Sequence, residues 1–243
     1  MASYISIIPV WIIVLFIASF LYSLFLIANP AKEAALNAGI TSEKARNIQF
    51  GIVGFYIIYL AYVSIFALKG AFYIFSLPPK IMVYAAIPLT IILFAIVGNT
   101  KLFKNLLRSI TLESLITMHI FRLLGVFFII IYCYHLLPAD LAFSAGMGDI
   151  ITALLAFPVA KMAAKGKSWR IKAVYAWNIF GILDILVLLV IVAITTRNSI
   201  ITGERGDLEM TIFPFVWFPA FAPATILFLH TAIFRKLQLM KVK

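Results

Sequence analysis

Residues 115–137 read LITMHIFRLLGVFFIIIYCYHLL, an apolar run long enough to cross a bilayer that contains one arginine, Arg122. A charged side chain in hydrocarbon costs from about 2.5 to more than 10 kcal/mol, depending on how far water and headgroups reach it. Such a residue persists when another group of the protein compensates its charge. Arg122 therefore predicts a membrane bundle with a polar interior and a carboxylate close to this helix.

The composition agrees with a chain dissolved in lipid, since 64% of its 243 residues are hydrophobic and only 12% are charged. The net charge of +11 comes from basic residues at the ends of apolar runs, which indicates membrane topology and excludes a nucleic-acid-binding patch. The single cysteine, Cys133, excludes an intramolecular disulfide and a CxxC metal site. The bilayer is the partner that this composition predicts.

Seven apolar runs alternate with polar connections, which predicts an all-α membrane protein, a single transmembrane domain over residues 1–243. The segment at about 101–112 alternates leucine and phenylalanine with lysine and arginine at helical spacing, and predicts an amphipathic helix at the interface. The seven transmembrane helices are expected at about residues 4–28, 48–68, 81–99, 115–137, 146–164, 173–196 and 213–234.

The basic residues also predict an orientation. Fifteen of the twenty Lys and Arg residues fall in the C-terminal tail and in the connections after the first, third and fifth runs, against four on the other side. By the positive-inside rule, the N-terminus lies outside and the C-terminus lies in the cytoplasm. We expect the protein in a bacterial cytoplasmic membrane.

The depths of the polar residues predict which of them meet. A rise of about 1.5 Å per residue places Arg122 about 10 Å and Asp184 about 16 Å from the cytoplasmic ends of their helices, a difference that an arginine side chain spans. His119 and His230 both lie at about 6 Å, on different helices. We therefore predict a pocket open toward the cytoplasm, with these ligand-binding residues: Arg122, Asp184, Asn178, Trp177, His230 and His119.

Asp149 lies one turn inside the predicted start of the fifth helix, in the string Gly146-Met147-Gly148-Asp149. At that position its carboxylate would cap the helix through the free backbone N–H groups of the first turn. A secondary polar site formed by Asp149, Gly146 and Gly148 is the alternative.

This string resembles the GxGD motif of the signal peptide peptidase and presenilin class of intramembrane aspartyl proteases. The resemblance implies a second aspartate on the preceding helix and a Pro-Ala-Leu motif near the C-terminus. Here the second intramembrane acid, Asp184, follows instead, at a depth that differs from that of Asp149 by about 9 Å. We treat the protease as the least favoured alternative and name no catalytic residue.

A wider pattern runs from His119-x-x-Arg122 through Asp149 and the Trp177-Asn178 pair to the proline-rich last helix. This pattern resembles an uncharacterised family of bacterial integral membrane proteins. The resemblance implies a polytopic bundle and brings no activity with it.

A non-enzymatic role is the leading hypothesis: a transporter or ligand-binding protein for a small anion or zwitterion, because the planar fork of Arg122 suits a carboxylate or phosphate. The prolines of the last helix, Pro214, Pro219 and Pro223, would give it a broken or movable segment. One alternative is a b-type haem redox protein that uses His119 and His230 as axial ligands. Another is a structural subunit of a membrane complex.

Overall fold

The computed structural model of the chain describes residues 7–164, 168–204 and 206–241. Within these ranges the chain folds into eight main helices and one short 3₁₀ turn, Leu208–Thr211, and it contains no strand. The helices are α1 (Val10–Asn37), α2 (Ser42–Leu68), α3 (Met82–Asn99), α4 (Lys101–Ser109), α5 (Leu112–Cys133), α6 (Ala139–Ala164), α7 (Ser168–Thr202) and α8 (Trp217–Lys241).

All of these except α4 are long and apolar enough to cross a membrane, which confirms the prediction of seven spanning helices among the described residues. The protein is an integral membrane protein. The C-terminal ends of α1, α3, α6 and α8 lie at the basic end of the bundle. The connections after α2, α5 and α7 form the opposite end.

Helices α5 and α8 form the centre of the bundle. Of the most apolar stretch of each helix, 56% is buried in α5 and 67% in α8, against 22% in α7. Aromatic side chains of α1 pack against α8, with the ring of Phe20 centred 5.3 Å from the rings of both Trp217 and Phe221. The inward-facing polar residues of these two helices, including Arg122 and His230, are therefore buried.

Two helix ends differ from the sequence prediction in ways that affect the site. Helix α6 begins at Ala139, directly after Pro138, and not near residue 146. Proline is favoured at a helix start because the first N–H groups have no partner within the helix. Helix α8 begins at Trp217 and is continuous to Lys241, so the expected broken segment is absent from it. Pro214 precedes this helix.

Helix α3 changes its winding around Pro88, with π-helical turns at Met82–Ala86 and Ile92–Ile96. Proline has no N–H, so an α-helix would leave the carbonyl of Tyr84 without its partner. The hydroxyl of Tyr62 donates to that carbonyl at 3.2 Å. One helical turn away on α2, the Tyr59 hydroxyl donates to the carbonyl of Ala220 at 3.0 Å. Tyr59 and Tyr62 of α2 therefore pair backbone carbonyls of its neighbours.

Helix α4 occupies the segment for which the sequence predicts an amphipathic helix. Thr100 caps its start, accepting from the Phe103 N–H at 3.1 Å. At its end, the Lys236 ammonium donates to the carbonyls of Leu107 (3.2 Å) and Arg108 (2.8 Å). A cation at a helix C-terminus also interacts favourably with the helix dipole. These contacts hold α4 against the basic end of α8.

Cysteine labelling tests the predicted orientation. In a Cys133→Ser background, we expect a Glu204→Cys variant to react with a membrane-impermeant maleimide in intact cells, because residue 204 is exposed at the opposite end. A Lys104→Cys variant on α4 should react only after the cells are permeabilised. The reverse pattern would place the basic end outside.

Candidate functional site

Arg122 lies in a stretch of α5 that has 3₁₀ winding, Met118–Gly125. Because a 3₁₀-helix has three residues per turn, side chains at i and i+3 align along the axis. His119, Arg122 and Gly125 therefore form one row, which faces α6, α7 and α8. A 3₁₀ stretch of this length inside a spanning helix is uncommon and often marks a hinge or a functional site.

The guanidinium of Arg122 is fully enclosed, with none of its side chain exposed, and each of its nitrogens has a partner. Nε donates to Asp149 Oδ1 at 2.6 Å, and Nη2 donates to Asp184 Oδ2. Nη1 donates to the Gly181 carbonyl at 3.4 Å and lies 3.2 Å from His230 Nε2. The contact with Asp184 that the depths predict is present, and the contact with Asp149 was not predicted.

The interpretation of Asp149 as a helix cap is wrong. Because α6 begins at Ala139, Asp149 lies ten residues inside it, about 15 Å along the axis. It is buried, and its carboxylate pairs with Arg122. The acid in the first turn of α6 is Asp140, whose Oδ1 accepts from the Leu141 N–H at 2.9 Å. The Pro138-Ala139-Asp140 sequence was the available signal for this helix start.

Arg122, Asp149 and Asp184, which we call the ion cluster, contain one base and two acids. With both carboxylates ionised the ion cluster carries one negative charge in excess, in a region from which water is largely excluded. An uncompensated buried charge is costly. The ion cluster therefore favours the binding of a proton or a cationic group. It disfavours the binding of an anion, unless the ligand also carries a positive charge.

Four glycines allow the helices to approach at this level. A Cβ atom on Gly148 would collide with the Asp184 carboxylate, and one on Gly181 with the His230 ring. Gly125 and Gly146 face each other, and a Cβ on either would lie 3.0 Å from the carbonyl oxygen of the other. The glycines of the GxGD string therefore serve close helix packing, which brings α5, α6 and α7 to the same charged group.

The hydrogen bonds of His230 fix its tautomer. An arginine nitrogen can only donate, so His230 Nε2 beside Arg122 must accept. His230 Nδ1 then carries the proton and donates to Asn178 Oδ1 at 2.8 Å, while Asn178 Nδ2 donates to the His230 carbonyl at 3.1 Å. His230 is therefore a neutral imidazole that is oriented by Asn178. Trp177 bonds elsewhere, from Nε1 to the Thr152 carbonyl at 3.0 Å.

His119 is fully buried, and neither of its ring nitrogens has a hydrogen-bond partner among the described residues. Its ring packs on His230, with centroids 4.2 Å apart, and edge-on against Trp177 at 5.2 Å. Buried polar atoms are nearly always paired, so an imidazole with both nitrogens unpaired requires an explanation. In this structure, the His119 imidazole is the polar group of the site whose hydrogen-bonding capacity is unused.

The two histidines do not fit a b-type haem. Axial ligation by both would place the iron and its macrocycle between the imidazoles. The rings of His119 and His230 instead contact each other, and Nε2 of His230 is directed at Arg122. His119 and His230 are close to each other, as their similar predicted depths require, but their rings are in direct contact. This contact leaves no space for the cofactor between them.

Among the described residues, the polar side chains predicted to line an open cytoplasmic pocket are enclosed, apart from Asp184, whose side chain is 11% exposed. Arg122, His119, His230 and Asn178 are at most 1% exposed, and Trp177 is also buried. A cavity of about 60 Å³ instead lies on the other side, lined by Asp149 and by Asp207 and Thr211 of the opposite end. The prediction that the polar residues form an open cytoplasmic pocket is therefore wrong for this arrangement.

Asp207 at the mouth of this small cavity is partly buried in the connection after α7. Burial raises the pKa of its carboxyl, and a hydrogen bond from the Thr196 hydroxyl (3.0 Å) offsets part of the rise. A carboxyl with a raised pKa holds its proton to a higher pH than an exposed one. Sequence reasoning missed Asp207 because it lies in a polar connection.

The aspartates also differ from a protease dyad. The expected depth difference of about 9 Å is wrong, because Asp149 and Asp184 both bond the same guanidinium. An aspartic protease dyad needs two carboxyl groups that share one proton. Here Arg122 bonds a carboxylate oxygen of each, so the charges are compensated by a base. This arrangement does not support the protease reading.

Comparison with protein families matches residues 78–238 to a family described as Domain of unknown function (DUF8737), which covers 161 of the 243 residues. The chain belongs to this family. The matched range contains every residue of the ion cluster and both of its histidine neighbours, and it leaves out α1 and α2. No curated protein and no solved structure matches the chain significantly.

The excess acid in this DUF8737 protein predicts unequal effects of neutralising substitutions. Arg122→Gln should reduce the free energy of unfolding by about 3–5 kcal/mol, because it leaves the buried carboxylate of Asp149 and the partly buried carboxylate of Asp184 without their cation. Asp184→Asn should cost less than about 1.5 kcal/mol, because its amide oxygen still accepts from Arg122 and the excess charge is removed. Unfolding in detergent, followed by tryptophan fluorescence, measures both.

Glu204→Gln is the matched control for loss of a carboxylate, since Glu204 is exposed in a connection. It should unfold like the wild-type protein. An Asp184→Asn variant as unstable as Arg122→Gln would contradict the charge count.

The glycines give a second prediction, in which the sign of the effect depends on position. Gly148→Ala and Gly181→Ala should lower the unfolding temperature, because the added methyl groups collide with Asp184 and His230. Gly54→Ala on α2 is the control, because a Cβ there meets no atom within 4 Å. Alanine stabilises a helix by up to about 1 kcal/mol over glycine, so Gly54→Ala should be neutral or stabilising. Equal behaviour of the three variants would disprove the close approach.

Proposed function

We propose that the protein is a transporter or ligand-binding protein for a small zwitterion, and that the ion cluster is the site of binding and of coupling to protons. The observation that carries the proposal is the placement of Arg122 between two carboxylates near the middle of the bundle. Ionisable residues inside spanning helices are costly, and they commonly mark substrate and proton pathways.

Charge balance favours a zwitterion over a simple anion. A ligand carboxylate that takes the Nη2 face of Arg122 must displace Asp184, which leaves that carboxylate without a cation. The ammonium group of a zwitterion would pair with the displaced aspartate, so the number of charge pairs is kept. A simple carboxylate has no such group, and it would bind only if Asp184 or Asp149 takes up a proton.

Two further features support this role. His119 has both ring nitrogens free of described partners, so it can bond a ligand without breaking another contact. The small cavity lined by Asp149 and Asp207 extends from the ion cluster toward the opposite end; because its other walls are almost all apolar, it would carry protons only in a conformation that admits water. The closed state of the cluster is then the occluded conformation of a transporter, and binding requires α5 or α7 to move.

Thermal-shift measurements at several pH values test the proposal. We expect some of a panel of amino acids and other small zwitterions to raise the unfolding temperature with little dependence on pH between 5 and about 8. Simple carboxylates should bind more tightly as pH falls, by up to about tenfold per pH unit, because one proton is taken up with the ligand. Asp184→Asn should abolish that pH dependence, because it removes an acceptor of the proton.

Arg122→Lys is the matched variant for recognition. It keeps the positive charge and loses the planar fork, so it should remain folded and lose the ligand-induced stabilisation. Asp140→Asn, at the exposed start of α6, should behave like the wild-type protein. If no member of the panel stabilises the wild type more than Arg122→Lys, the ion cluster is a structural ion pair and the proposal is overturned.

A further inference from the structure

A second, larger cavity lies at the basic end, away from the ion cluster. Its volume is about 370 Å³, and its walls are almost entirely apolar. Helix α2 contributes Gly51 and Phe55, α3 contributes Leu93, α4 contributes Phe103 and Leu106, and α8 contributes Phe228. The ion cluster residues do not line it, so this cavity is a separate feature of the bundle.

The cavity opens on the surface that faces lipid. Gly51 and Leu102, which line it, are both exposed, and a Cβ atom on Gly51 would meet nothing within 4 Å. An unfilled apolar void lowers stability in proportion to its volume. Since this opening lies inside the span of α2, the solvent that reaches it is the hydrocarbon of the bilayer.

Cations border the cavity at the level of the headgroups. Lys44 lies on the face of α2 that continues through Ile48 and Gly51 into the cavity wall, because residues at i, i+4 and i+7 share one helical face. Helix α4 carries Lys101, Lys104 and Arg108, all exposed, and no acidic residue. Its apolar side, including Leu106, forms the cavity wall.

We propose that this cavity binds one acyl chain of an anionic phospholipid from the bilayer, with the lipid phosphate held by Lys44 and the cations of α4. The apolar walls match the chain, and the cations beside the opening match the charge of the headgroup. A zwitterionic phospholipid would offer the same chain and no net charge. The site is therefore selective for anionic headgroups, and it is independent of the function proposed for the ion cluster.

Native mass spectrometry of the whole, delipidated protein tests the site with two probes, phosphatidylglycerol and phosphatidylcholine of equal chain length. We expect one phosphatidylglycerol to be retained with an affinity about fivefold higher for each cation that contacts the phosphate. Gly51→Phe should fill the cavity and abolish retention of this lipid. Gly54→Phe should retain it, because Gly54 is on the same helix, outside the cavity lining, and a Cβ there also meets nothing within 4 Å.

Charge and shape are separated by a second pair of variants. Lys101→Gln combined with Lys104→Gln should lower the affinity for phosphatidylglycerol by about fivefold for each phosphate contact that is lost, and should reduce its preference over phosphatidylcholine. Lys69→Gln, at the opposite end, should leave both unchanged. Three results would overturn the proposal: equal retention of the two lipids by the wild type, retention of phosphatidylglycerol by Gly51→Phe, or recovery of a different apolar molecule from the cavity.

Discussion

The ion pairs of Arg122 with Asp149 and Asp184 join three helices near the middle of the bundle. Each of these charges alone would be strongly unfavourable in this environment, and the three are compatible with it only when the helices are correctly docked. The ion pairs therefore contribute more to the specificity of helix docking than to the free energy of folding. The hydrophobic effect supplies no such selectivity between helices in lipid, because lipid chains are as apolar as leucine.

The close approach that this pairing needs is built into the backbone. Gly148 and Gly181 remove side chains where α6 meets Asp184 and where α7 meets His230. The 3₁₀ winding of α5 aligns His119 with Arg122, so both point at the same neighbours. A regular α-helix would rotate one of them away by a fraction of a turn. Winding, glycine placement and charge thus depend on one another.

Much of this was predictable from the sequence. The seven apolar runs predict the seven spanning helices, and the cost of an intramembrane charge predicts that Arg122 meets Asp184. The role of Asp149 was not predicted, because its depth depends on where α6 begins and that start was placed seven residues too late. Helix ends are the least certain part of a sequence reading, and each residue moves the estimated depth by about 1.5 Å. The packed, closed state of the polar residues depends on tertiary contacts that periodicity does not contain.

The hydrogen bonds of the site show which groups a ligand would have to displace in the proposed function. Asn178 holds His230 neutral and directed at Arg122, so that side of the guanidinium is satisfied. The two carboxylates satisfy the remaining sides, and His119 is left without a described partner. In the function proposed above, the second acid and the unpaired ring both have a use: when Arg122 exchanges partners, a carboxylate is released and His119 gains a group to bond.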